Sequence, residues 1–349
     1  MSRAFAAVLA ALVLCPSASA ARANLGQMAR SLVKSGAPGA LVYVRTPTRT
    51  RAGTAGWADR DAHVSMRAPD RYRIASVTKA FVSVVILQLE AEGKLDIDAP
   101  VEKYLPGLVP NGAAIPLREL MNHTSGLFDY TEDQSFGDVI LANPARIWTP
   151  RELLAYAFTH APNFAPGTDY RYSNTNYILL GLVTEAVTHK PLGESLQERI
   201  FTPLNLTSTS FPLTIELAPD FVHGYYDKLD AAPLLSPSWG WAAGGIVSNA
   251  RDVTAFYRAL MTGKLLPPAQ LAEMKSGSQA DDSYGLGIQR DRTICGLVYG
   301  HDGDFVAWRN VVFATPNGKR EAVVMVNVDA SRVSWDQLIA AAKLALCRG

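Results

Sequence analysis

Segments that read as β-strands sit at the two ends of this chain, and a long run of helices separates them. Residues 40–44 (Ala-Leu-Val-Tyr-Val) and 53–57 (Gly-Thr-Ala-Gly-Trp) form one pair, with a polar turn between. Residues 297–299, 308–314 and 322–328 are strand-like near the C-terminus. Pro316-Asn317-Gly318 joins the last two and is a strong hairpin-turn signal. The pattern predicts an α/β (α+β) fold. One antiparallel β-sheet is built from the N- and C-terminal segments and flanked by helices, with a mostly helical region inserted. The sheet lobe spans about 21–75 and 240–349, and the helical lobe about 76–239.

Helices are expected over residues 24–34, 177–187 and 251–261. Thr149-Pro150-Arg151-Glu152 opens another. Ser334 with Gln337 is a capping box that opens a last helix, to about Leu346. Residues 77–89 are apolar almost all round and end near Gly93, so this helix is buried on most faces. With 349 residues the chain can bury a large core without metals or disulfides. Charged residues make up 19% and hydrophobic ones 48%, which excludes a disordered chain. Lys+Arg is 33 against Asp+Glu 32, so no basic excess drives nucleic-acid binding.

The N-terminus reads as a secretory signal peptide over residues 1–20. Arg3 is its positive end, residues 5–14 are apolar but too short to span a bilayer, and Ala18-Ser19-Ala20 is the cleavage site. Cleavage leaves residues 21–349 as one secreted or periplasmic domain, with no further membrane segment and a monomer expected. Cys15 leaves with the leader, so Cys295 and Cys347 remain. In an oxidising compartment they are a disulfide candidate, the alternative being two buried thiols.

Several familiar sites are absent from the sequence. There is no G-x-S-x-G elbow, no H-E-x-x-H, and the six histidines are scattered, so no metal or cofactor is expected. One pattern carries chemistry. Ser76-Val77-Thr78-Lys79 opens the buried helix, and the i, i+3 spacing puts Ser76 and Lys79 on one face. A serine hydroxyl needs a neighbour to take its proton, and a desolvated lysine can do so. The spacing alone is weak, because Ser31-Leu32-Val33-Lys34 repeats it in an amphipathic helix. Alone, Ser76 and Lys79 read equally as a cap and a solvated lysine. Tyr172-Ser173-Asn174 is the second element. A tyrosinate there could act as a base, Asn174 could hold a substrate carbonyl, and a helix-capping loop is the plain reading. His301-Asp302-Gly303 is the third, a donor followed by a glycine that lets a substrate backbone approach.

In this order the three elements resemble the serine β-lactamase and penicillin-binding-protein superfamily. The sequence is most similar to class C β-lactamase-like hydrolases and secreted D-alanyl-D-alanine carboxypeptidases. Leu120-Met121-Asn122-His123-Thr124-Ser125-Gly126-Leu127, whose His123–Gly126 part reads as a structural turn, extends the likeness. So do Phe164-Ala165-Pro166-Gly167, residues 239–245 and Tyr284-Gly285-Leu286-Gly287. The resemblance implies an acyl-enzyme on Ser76, a proton shared by Lys79 and Tyr172, and Asn174 as an orienting amide. It implies that His301 replaces the third-motif lysine and hydrogen-bonds toward Tyr172. The backbone N–H groups of Ser76 and Asp304 would form the oxyanion hole, and Trp239, Asp302 and Gly303 would contact substrate. The carboxypeptidase branch also links the strand before the third motif to the C-terminal helix, as a Cys295–Cys347 disulfide would. The implied substrate is a small peptide of the peptidoglycan type. Esters, β-lactams and D-aminoacyl amides are the alternatives, and a non-catalytic β-lactam or muropeptide sensor is a further one. Asp302 and Asp304 stand where threonine is common and would repel a substrate carboxylate. Arg290, Arg292 and Arg309 are the candidates to compensate on sequence grounds.

Overall fold

The computed structural model describes residues 23–349. The expected signal peptide lies outside them. Strands β1 (Gly39–Arg45), β2 (Thr50–Asp59) and β3 (Val64–Ser65) come from the N-terminal segment. Short strands β4 (Tyr72–Arg73), β5 (Tyr225–Tyr226), β6 (Leu229–Asp230) and β7 (Val247–Ser248) follow. Then come β8 (Gln289–Thr293), β9 (Gly296–Phe305), β10 (Trp308–Ala314) and β11 (Glu321–Val326). The main sheet is antiparallel in the order β3-β2-β1-β11-β10-β9-β8. The first strand therefore pairs with the last, as the two-ended pattern requires. The short strands pair as β4 with β7 and β5 with β6.

Every residue of β10 and β11 is buried, because both faces of the sheet are covered. Alternation along each strand divides the side chains between two cores. Val42, Val44, Val324 and Val326 face the Leu25–Lys34 and Trp335–Arg348 helices. Leu41, Tyr43, Val323 and Met325 belong to the second core, where the Ala250–Met261 helix packs on the sheet and which also holds the Thr78–Ala91 helix. That helix is buried from Thr78 through Leu87, as its all-round apolar sequence predicts. Cys295 and Cys347 form a disulfide between the β8–β9 turn and the last helix.

The third motif lies in the sheet, on a longer strand than residues 297–299 mark. β9 runs from Gly296 through Phe305 and carries His301, Asp302, Gly303 and Asp304 within it. Gly303 is required there. A Cβ added to it would lie 2.4 Å from Ile74 O and 3.1 Å from Ala75 Cβ. The strand therefore lies directly against the turn that holds Ser76. Among the described residues, no helix is long and apolar enough to cross a membrane.

Candidate active site

Ser76 sits in a single 3₁₀ turn, Ala75–Val77, just ahead of the buried helix. Ala75 has φ +51°, a left-handed conformation that costs a non-glycine residue energy. The strand contact at Gly303 and a hydrogen bond from Asn310 Nδ2 to Ile74 O (3.3 Å) hold this turn.

Lys79 lies one helical turn on and is fully buried. Its Nζ donates to Ser76 Oγ at 3.0 Å, Asn174 Oδ1 at 2.8 Å and Ala243 O at 2.8 Å. These three acceptors use all the donors of an ammonium group. Burial pushes Lys79 down to about 7, against the opposing charges of Asp129 and Asp302. Near neutral pH a share of Lys79 is therefore an amine, which can accept the Ser76 proton.

Tyr172 lies with its ring 4.8 Å from Lys79 Nζ. Burial pushes its phenol well above the ordinary range, although the Ser76 hydroxyl favours the ionised form. Resting Tyr172 is therefore a neutral phenol. It does not have the tyrosinate character that the sequence allowed. Asn174 starts the Asn174–Thr188 helix. Its Oδ1 must face the lysine, since an ammonium has no acceptor, and its Nδ2 donates to Asp129 Oδ2 at 2.9 Å. Its amide is thus already engaged on both sides.

His301 needs a correction. It hydrogen-bonds Tyr284 and not Tyr172: Nε2 lies 2.8 Å from Tyr284 Oη, while the His301 and Tyr172 rings are 6.4 Å apart. Nδ1 lies 2.6 Å from Asp302 O. A carbonyl can only accept, so Nδ1 carries the proton and Nε2 accepts from Tyr284. Burial holds His301 down to about 4, so it is neutral and supplies no cation.

Four contributors escaped the sequence reading. Asp129 accepts from Asn174 N, Asn174 Nδ2, Thr131 N and Thr131 Oγ1. Burial pushes its carboxyl up, against the Thr131 donors, the Asn174 N–H and the Lys79 charge. Tyr284 anchors His301. Ala243 supplies a carbonyl to Lys79. His123 does occupy the expected turn, with φ +63°, but its ring also stacks on Tyr172 with centroids 4.2 Å apart. Burial keeps it far below its ordinary value, hence neutral. The likeness at residues 120–127, at residues 239–245 and at Tyr284 is a signal for three of these, read as turn and framework only.

A cleft of about 230 Å³ opens in front of Ser76. Thr131, Asn174, Trp239, Gly244 and Asp304 are among its walls. Trp239 and Asp304 thus both border the space in front of Ser76. Asp302 and Gly303 are not among those walls: Asp302 is half-buried, 3.6 Å from His301 Nδ1, and Gly303 packs on Ile74. No lysine or arginine lines the cleft. Arg290 pairs with Asp282, and Arg290 and Arg292 border a different cavity. Arg309 lies 3.3 Å from Asp304 but is buried and stacked on Trp335. Burial pushes Asp304 up to about 6, against the Arg309 charge. Val306 is shared with an apolar groove of about 240 Å³ that includes Leu141, Tyr226, Leu229 and Leu234.

The comparisons with known proteins agree with this geometry. Putative penicillin-binding protein PbpX of Bacillus subtilis (strain 168) is 30% identical over 238 residues, 67% of this chain and 57% of its own. The chain spans just over half the length of the curated relatives it matches. A D-stereospecific amidohydrolase from Streptomyces sp. superposes with a TM-score of 0.85 at 36% identity, over 91% of this chain and 97% of that one. The D-amino acid amidase of Ochrobactrum anthropi SV3, complexed with L-phenylalanine amide, gives 0.80 at 26%, over 92% and 95%. The family model described as Beta-lactamase matches residues 23–346, and the chain belongs to that family, with its serine hydrolase fold.

Proposed function

We propose that this protein hydrolyses amides of D-amino acids that carry a free amine, through an acyl-enzyme on Ser76. The observation that carries the chemistry is Lys79, buried, 3.0 Å from Ser76 Oγ and lowered to about 7. Neutral Lys79 takes the Ser76 proton as Oγ attacks the substrate carbonyl. The backbone N–H groups of Ser76 and Asp304 receive the oxyanion. Tyr172 relays the proton from Lys79 to the leaving amine, and the C–N bond breaks. Water then attacks the ester, gives its proton back through the same pair and frees the acid. Asn174 and Asp129 hold Lys79 in place, and Tyr284 with His301 buttresses the β9 side.

The substrate class rests on charge. The ionised cleft wall is Asp304, which attracts an amine and repels a carboxylate. The carboxyl side of a D-Ala-D-Ala peptide finds no lining arginine. The likeness to a D-stereospecific amidohydrolase and a D-amino acid amidase supports the same reading. An apolar side chain can pass over Val306 into the adjoining groove. Carboxypeptidase action is the second reading, favoured by the likeness to PbpX.

The deciding experiment measures ammonia from D-phenylalanine amide and D-alanine from an N-acylated D-Ala-D-Ala peptide. We expect ammonia release by the wild type, none by Ser76→Ala, and little D-alanine. D-alanine release without amide turnover would establish the carboxypeptidase instead.

A further inference from the structure

The strand register separates two ends of the sheet. One row runs Asp304–Arg309–Val326–Ala40, beside the cleft. Another runs Tyr299–Ala314–Glu321–Arg45, five residues away along the strands. Beyond that second row, the β1–β2 turn, the start of β11 and the end of the last helix enclose a cavity of about 340 Å³. Arg49, Arg51, Arg320 and Arg348 line it, together with Thr46 and Thr48.

The chemistry of this cavity is one-sided. No Asp or Glu side chain lines it. Among the described residues none of the four guanidinium groups pairs with an Asp or Glu side chain, whereas Arg118 pairs with two and Arg199 with one. Arg51 Nη2 donates to Ala23 O at 3.3 Å and Arg320 Nη2 to a carboxyl oxygen of Gly349, the last residue, at 3.1 Å. Those bonds hold the two inner arginines in place, and that one carboxylate leaves three of the four arginine charges unmatched. Arg51 Nη1 and Arg320 Nε remain buried with no partner. A buried donor without an acceptor is costly, and like charges crowded together repel. The whole chain has a formal charge of only +1, so this concentration is local.

An anion with several oxygens would satisfy both the charges and the donors. Forked guanidinium groups match phosphate oxygens in bidentate fashion. The cavity has room on the order of ten water molecules, more than one phosphate group fills. We propose that it is a binding site for a phosphate-bearing anion, separate from the Ser76 cleft. A phosphodiester with its organic substituents fits the space. The site would hold the protein on a phosphate-rich surface or polymer at the sheet end remote from the cleft.

The test uses the full chain at low ionic strength. Calorimetric titration with inorganic pyrophosphate should show one binding event. Arg49 and Arg348 are exposed, so Arg49→Gln with Arg348→Gln tests the site without touching the two inner arginines. That double variant should bind pyrophosphate at least about tenfold more weakly, with an unchanged unfolding temperature. Arg292→Gln, an exposed arginine on β8, should change binding less than twofold. Co-sedimentation with phosphatidylglycerol vesicles, against phosphatidylcholine vesicles, then identifies the source. Retention on the former assigns a lipid headgroup, and pyrophosphate binding without retention assigns a free or polymeric phosphate. Failure of both probes to bind overturns the proposal. So does a double variant that binds like the wild type, or an equal loss with Arg292→Gln.

Discussion

Lys79 must be neutral to accept a proton, yet three acceptors surround its Nζ. Burial resolves the conflict by lowering it to about 7. Activity therefore requires the form that grows as pH rises, and kcat/KM should climb through an acid limb centred near pH 7. Asp302 raises Lys79 by its charge, so removing that charge lowers Lys79 further. Asp302→Asn should move the acid limb to lower pH in a pH–rate profile. A limb that stays in place would assign the titration to another group. Lys79→Ala and Tyr172→Phe should each lower kcat by about 10²–10⁴, measured on D-phenylalanine amide, because both lie on the proton path. Ser31→Ala, in the second S-x-x-K, should leave the rate unchanged.

At the scale of elements, catalysis depends on one contact, that of β9 against the Ala75–Val77 turn. Gly303→Ala would put a methyl 2.4 Å from Ile74 O, which is backbone and cannot swing aside. The strand must then retreat from Ser76 and carry the Asp304 N–H with it. We expect kcat to fall by about 10²-fold, the loss seen on removing one oxyanion donor. Circular dichroism should still report a folded protein. Much of this architecture was legible. The apolar runs 308–314 and 322–328 and the turn between them mark a buried hairpin. The apolar helix after Ser76 marks its own burial. β3 was not legible, because two exposed residues carry no period. Asp129 and Tyr284 were not legible either. Their partners Asn174 and His301 lie 45 and 17 residues away, and no local spacing encodes such contacts. The family resemblance implies a bond from His301 toward Tyr172, whereas packing gives it Tyr284.

Across the whole molecule, near-zero net charge conceals two separated regions of opposite sign. The cleft lining offers the Asp304 carboxylate, whose charge the buried Arg309 behind it offsets in part, while the remote cavity offers four arginines. Asp304 therefore sets what may approach Ser76. Its carboxyl is lifted to about 6, so it is ionised above that pH and is neutralised below it. KM for an amine-bearing amide should rise as pH falls through about 6. This step is separate from the acid limb near 7 in kcat/KM, which belongs to Lys79. Asp304→Asn keeps the backbone donor and removes the charge. It should raise KM for D-phenylalanine amide by about tenfold, equivalent to about 1.4 kcal/mol. It should also improve turnover of an N-acylated D-Ala-D-Ala peptide, which the wild-type charge repels. Salt separates this from a steric effect. The wild-type KM should rise as ionic strength approaches about 1 M, where screening shortens to about 3 Å. The variant's KM should not respond. A salt response that survives in Asp304→Asn would place the selecting charge elsewhere in the cleft.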